Sequence, residues 1–117
     1  MLKIYTYSGC DTCRKALKFL TSRGIAHTNI PIRETPPSKA ELQAMLKEYG
    51  GDRRKLFNTS GQDYRALGLG EKFPAMSEAE AIALLGSNGN LVKRPFLIGK
   101  DILRVGFKEE EWGAVLG

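Results

Sequence analysis

With 117 residues the chain is long enough for one compact core and too short for two ordinary ones. At 42% hydrophobic and 26% charged, with no apolar run long enough to cross a bilayer and no secretory pattern at its start, it reads as a globular cytoplasmic protein without a membrane span. The net charge of +5 comes from 18 basic and 13 acidic residues mixed along the chain, which argues against direct nucleic-acid binding.

Residues 2–7 alternate apolar and polar side chains with aromatic and β-branched types, the pattern of a half-buried strand. Both cysteines follow at once, in Cys10-Asp11-Thr12-Cys13. From Cys13 the spacing of Ala16, Leu17, Phe19 and Leu20 predicts a helix that Gly24 can end in the left-handed conformation. Residues 25–32 form a second expected strand, and a crossover through one helix makes the two strands parallel, a βαβ unit. Glu34-Thr35-Pro36-Pro37 breaks the strand off. Ser38 and Glu41 then form a capping box for a helix that carries Leu42, Met45 and Leu46 up to Gly50-Gly51.

The middle of the chain, residues 52–72, holds short amphipathic pieces at 53–57 and 62–67, separated by Asn58-Thr59-Ser60-Gly61. Ser77 and Glu80 make a second capping box, and Ala81, Ile82, Leu84 and Leu85 carry that helix to Ser87-Asn88-Gly89. Residues 94–98 read as an apolar strand entered through Pro95, turned by residues 99–101 into a second strand at 102–105, a hairpin. Residues 108–116 close the chain as a helix, with Glu109, Glu110 and Glu111 at its positive end and Trp112, Val115 and Leu116 expected to face inward. The fold class is α/β, with a mixed sheet built as βαβ and then ββα.

Two cysteines do not make a disulfide framework, and a close pair in a reducing compartment points to reactivity. A structural zinc site needs about four ligands; one CxxC and the single His27 do not supply them, so no metal is expected. The thiolate is the nucleophile, and at a helix start the unpaired backbone N–H groups, the helix dipole and the nearby Arg14 and Lys15 all favour negative charge on sulfur. Cys10, before the first turn, is the exposed candidate. Cys13 enters the helix, should be partly covered, and is placed to resolve an intermediate on Cys10 as an internal disulfide. A CxxC between strand and helix of a βαβ unit is a thioredoxin-like redox motif. The bland alternative is a pair of small buried thiols.

Arg94-Pro95 is the second candidate element. In a thioredoxin-like architecture the strand after a cis proline lies beside the reactive turn, and Arg94 can then reach an oxyanion held at Cys10 with fork-shaped donors; otherwise the bond is trans and Arg94 a surface arginine. The other tight basic cluster, Arg53-Arg54-Lys55, reads with Lys93-Arg94 as solvated surface, though modest basicity also suits an anionic substrate. Thr12 and Ser8 can support the turn or bond the sulfur. Ser60 can contact an anion or cap a short helix. His27 is assigned no role, and Trp112 and the phenylalanines are read as packing.

Over almost its whole length the chain resembles the family of arsenate reductase ArsC and Spx. The resemblance rests on Cys10-Asp11-Thr12-Cys13-Arg14-Lys15-Ala16-Leu17, Phe57-Asn58-Thr59-Ser60-Gly61, Leu91-Val92-Lys93-Arg94-Pro95 and Val105-Gly106-Phe107. It implies a thioredoxin-like fold in a single domain over 1–117, with a core at about 1–35 and 90–117 and a helical insertion at about 36–89. It also implies a thiol-dependent oxidoreductase in which Cys10 attacks a small oxyanion or a disulfide, Cys13 resolves and Arg94 steadies the charge. Thr12, Arg14, Pro95 and Ser60 would support the site. No cofactor is bound; glutathione would be a co-substrate, and glutaredoxin, glutathione or thioredoxin the reductant. The family's middle-loop arginine is Ser60 here and the one after the hairpin is absent at Gly106-Phe107, so the substrate stays open between an oxyanion and a disulfide. The alternative is an Spx-like redox-switched regulator that binds the RNA polymerase α subunit; Spx-type chains carry a polar tail beyond the last helix, and this sequence ends at Gly117.

Overall fold

The computed structural model describes residues 2–116, the side chain of Phe73 excepted; Met1 and Gly117, the outer bounds of the single-domain reading, lie outside the described residues. Strand β1 (Lys3–Thr6) leads through a short turn into helix α1 (Asp11–Ser22), and strand β2 (Thr28–Pro31) returns parallel to β1, with Thr6 opposite Pro31. Strands β3 (Phe96–Ile98) and β4 (Leu103–Val105) form the expected hairpin, and β3 lies antiparallel to β1 with Phe96 opposite Tyr5. Among the described residues these four strands make one sheet in the order β2-β1-β3-β4.

The second strand is shorter than residues 25–32 suggest. The Ile25 N–H is taken by the Leu20 carbonyl at 3.0 Å in the turn that ends α1, where Gly24 sits at φ +66°. The ladder begins only at Thr28, whose N–H donates to Leu2 at 2.9 Å. Pro31 has no N–H to give, and β2 tolerates it because it is an edge strand.

Alternation along β1 sends Ile4 and Tyr5 to opposite faces. Ile4 and Leu97 pack with Ala16, Phe19 and Leu20 of α1 and with Trp112 of the last helix, α6 (Glu109–Leu116). Tyr5, Ile32 and Phe96 pack on the other face against Leu42 and Met45 of α2 (Lys39–Glu48) and Ile82 and Leu85 of α5 (Glu78–Ser87). Both capping boxes form as the sequence predicts. Between them lie two short helices, α3 (Gln62–Ala66) and α4 (Leu69–Lys72), and 3-10 turns at Arg53–Leu56 and Phe73–Ala75. The arrangement is thioredoxin-like: a βαβ unit and a ββα unit around a mixed sheet, with helices between β2 and β3.

The final helix departs from expectation in one side chain. Trp112 is buried edge-on against Phe107, with ring centroids 4.9 Å apart, and against Phe19. That anchor rotates Val115 outward, where it is 41% exposed. Gly89 marks a close approach: a Cβ there would fall 1.9 Å from the Ile32 carbonyl oxygen, so the turn after α5 presses on the backbone at Ile32 and Arg33. Among the described residues no helix is long and apolar enough to cross a membrane.

Candidate active site

The turn between β1 and α1 closes when the Cys10 N–H donates to the Tyr7 carbonyl at 3.1 Å. Cys10 keeps extended backbone and becomes the N-cap of α1, and its Sγ accepts the Cys13 N–H at 3.2 Å. The helix mouth therefore directs a backbone donor at this sulfur. Arg14 braces the same turn from outside, donating to the Ser8 carbonyl at 2.8 Å and to the Asp11 carboxylate. Gly9 lets the Tyr7 ring fold down onto the turn, since a Cβ there would come within 2.6 Å of that ring.

The two thiols are free and differently placed: Cys10 is half-buried, Cys13 fully buried. Burial pushes the Cys13 thiol up to about 12, and its hydrogen bond with the Cys10 sulfur works in the same direction, against smaller opposing effects from the Tyr7 backbone and the Arg94 charge. At neutral pH Cys13 therefore keeps its proton, as the second thiol of an attack-and-resolve pair should.

The Arg94–Pro95 bond is cis and immediately precedes β3. Because β3 runs antiparallel beside β1, Arg94 arrives at the end of the sheet where the cysteine turn begins. Its guanidinium carbon sits 5.0 Å from the Tyr7 ring centroid, and its buried Nη1 has no hydrogen-bond partner among the described residues. A buried guanidinium donor without an acceptor is costly, and a ligand oxygen would relieve it.

Thr12 and Arg94 share a cleft of about 760 Å³ with Arg54, Lys55, Lys93 and Lys108, set against the carboxylates of Asp52 and Glu111. The two basic clusters singled out in the sequence thus converge. They do so because residues 56–58 and 91–93 pair as extended chain: Phe57 bridges Val92, Lys93 donates to the Leu56 carbonyl at 2.7 Å and Asn58 to Leu91 at 2.8 Å. Lys55, Lys93 and Lys108 were not recognised as site residues from the sequence. The available signal was the apolar pair Leu56-Phe57 after one cluster and Leu91-Val92 before the other, two short segments able to pair.

Ser60 lies exposed in its turn, its carbonyl accepting from Arg65 at 3.2 Å, while the neighbouring Thr59 lines the cleft. Gly106 and Phe107 also line it. Gly106 has φ +72°, a backbone region that disfavours any side chain, which accounts for glycine at this position. Among the described residues no three His, Cys, Asp or Glu side chains converge to hold a metal ion.

Comparison with known proteins gives the same outline. A model of the ArsC family matches residues 5–115. The uncharacterised protein YusI of Bacillus subtilis is 48% identical over 111 residues, 95% of this chain and 94% of its own. The crystal structure of a possible arsenate reductase from Streptococcus mutans superposes with a TM-score of 0.88 at 38% identity, covering 97% of this chain and 98% of that one. The global transcriptional regulator Spx 2 of Lactococcus lactis is 28% identical over 116 residues, 99% of this chain and 86% of its own.

Proposed function

The chain belongs to the ArsC family, and from that premise we propose that it is a thiol-dependent oxidoreductase whose Cys10 attacks a disulfide or a small oxyanion and whose Cys13 resolves the product. The observation that carries this reading is the pairing at the mouth of α1: a half-buried Cys10 sulfur accepting a backbone N–H, next to a buried, protonated Cys13.

With a disulfide RS–SR′, the Cys10 thiolate attacks one sulfur, forming a mixed disulfide and expelling R′S⁻. Cys13 then gives up its proton to that leaving thiolate or to water and attacks Cys10. The internal disulfide forms, RS⁻ departs, and the pair has delivered two electrons. A thiol reductant such as glutathione, glutaredoxin or thioredoxin returns them, in keeping with a reducing cytoplasm. Arg94 supplies an unpartnered donor for negative charge beside the sulfur, and the basic cleft beyond Thr12 suits an anionic substrate or reductant.

Mass spectrometry after treatment of the reduced protein with a small disulfide such as oxidised glutathione tests the scheme. Wild type should lose two hydrogens as an internal disulfide, while Cys13→Ser should stop at a mixed disulfide on Cys10. Recovery of both thiols unmodified in wild type would refute it.

A regulator reading draws on the likeness to Spx 2 along nearly the whole chain. Pull-down with the C-terminal domain of the RNA polymerase α subunit, under oxidising and reducing conditions, discriminates: no retention in either state removes it.

A further inference from the structure

Arg94 is not the only guanidinium at the cysteine turn. The Arg33 guanidinium carbon lies 4.8 Å from the centroid of the same Tyr7 ring that carries Arg94 at 5.0 Å. Both distances are those of cation–π contact. Among the described residues neither arginine forms a salt bridge. Asp63 and Arg33 attract each other without forming a salt bridge, and the Asp63 carboxylate accepts instead from the side-chain amides of Asn88 and Asn90 at 2.9 and 3.3 Å. Two guanidinium groups on one ring, neither of them in a salt bridge among the described residues and one with an unpartnered buried donor, leave N–H groups for an anion to accept.

The backbone explains why they meet. Pro31 is opposite Thr6 and Phe96 opposite Tyr5, so Arg33, two residues beyond Pro31, and Arg94, two before Phe96, come to the end of the sheet from which the cysteine turn springs. Arg33 is exposed but its backbone is pinned: the Ile32 N–H donates to the Thr6 carbonyl at 2.9 Å, and Gly89 presses on Ile32 and on the Arg33 Cα. Tyr7 lies over Gly9, in contact with the reactive turn itself.

We propose that Arg33 and Arg94, carried on the Tyr7 ring, form a two-point anion seat at the mouth of the Cys10–Cys13 turn, which selects disulfides bearing a carboxylate or another oxyanion close to the sulfur Cys10 attacks. Arg33 determines specificity and Tyr7 is a positioning residue. The seat rests on the proposed thiol chemistry and adds to it a substrate class and two residues that the family resemblance did not assign.

The test compares two disulfides reacting with the reduced wild-type protein: dithiobis-nitrobenzoate, which carries a carboxylate on each ring, and dithiodipyridine, which carries none at neutral pH. In each case Cys10 thiolate attacks, a mixed disulfide forms and one aryl thiolate (as the thione for pyridine) is released and measured. The readout is the ratio of the anionic rate to the neutral one, which cancels changes in the sulfur itself. Arg33→Ala should lower that ratio roughly five- to tenfold, the range expected for losing one charge-assisted contact. Tyr7→Leu should lower it similarly, Tyr7→Phe and Arg33→Lys should restore most of it, and raising the salt should compress it in wild type. An unchanged ratio in Arg33→Ala, with both reagents still reacting, overturns the seat and leaves the thiol chemistry standing. No reaction of wild type with either reagent sinks the thiol reading and the seat with it. Arg33 is exposed, so its variants carry the test even where Tyr7→Leu does not fold.

Discussion

Three helix mouths in this molecule are built on one spacing and use different chemistry. At α2 and α5, Ser38 and Ser77 accept the N–H of Glu41 and Glu80, and each glutamate reaches back to the backbone N–H of its serine. At α1 the same two positions are Cys10 and Cys13: the sulfur of the first accepts the N–H of the second, and no carboxylate returns the contact. Sulfur is the weaker acceptor, so α1 gives up part of its cap for a pair of neighbouring thiols. The CxxC occupies the positions of a capping box, and the comparison teaches that this turn gives up a reciprocal cap for a thiol pair, the feature the proposed chemistry uses, while its two counterparts keep theirs.

The largest way to break the comparison is to put oxygen at the cysteine mouth. Cys10→Ser should bring disulfide reduction to background while stability stays level or rises by up to about 1 kcal/mol, because serine is the better cap; urea unfolding beside a turnover assay reads both. A variant that lost stability as well as activity would deny the division of labour.

The converse change at α2 should cost the fold. Glu41 accepts the Tyr5 hydroxyl at 2.6 Å and pairs with Lys3 at 3.0 Å, so it ties β1 to α2 as well as closing the box. Glu41→Ala leaves the buried Tyr5 hydroxyl without its acceptor and should destabilise by about 2–3 kcal/mol in urea unfolding. Ser77→Ala, which removes only a cap, should cost about 1 kcal/mol by the same measurement.

The two mouths should also fail at opposite ends of the pH scale. Burial raises the Cys13 thiol from its ordinary 9.0 to about 12, so the folded chain holds this proton more tightly than the unfolded one. Its contribution is intact below pH 9 and is lost as pH climbs toward the folded value. Glu41 behaves inversely: burial alone would raise it, but the Tyr5, Ser38 and Lys3 contacts outweigh burial and hold it below 4.5. Its contribution is present above 4.5 and fades as pH falls through the lowered value. Cys13→Ala should flatten the alkaline limb of a stability profile and Glu41→Gln the acid limb. The Tyr5 phenol, also raised by burial and then by Glu41, adds an alkaline slope that Cys13→Ala leaves in place. The smallest expected effect is on Arg14→Ala, whose ion pair is exposed: a few tenths of a kcal/mol at most.

Much of the fold was legible because it is governed by neighbours in sequence. The alternation of residues 2–7, the two S-x-x-E boxes, the break at Pro36-Pro37 and the hairpin turn at 99–101 each act within a few residues, and all reappear in the structure. A parallel return through one helix left the βαβ unit little freedom, and that placed Cys10 and Cys13 at a strand-to-helix turn. What could not be read depends on contacts between distant segments. Which way Val115 faces is decided by Trp112 lodging against Phe19 and Phe107. The convergence of Arg54 and Lys55 with Lys93 and Arg94 is decided by the Phe57–Val92 bridge, and that of Arg33 with Tyr7 by strand register and the close approach of Gly89.

The sequence by itself determined where the cysteine pair would sit and what caps the helices that open on it and on the two serine boxes, since caps and turns answer to residues three or four apart. Only the tertiary structure decided which charges surround that pair, because a guanidinium at the end of a long side chain goes where packed neighbours and a facing aromatic ring hold it.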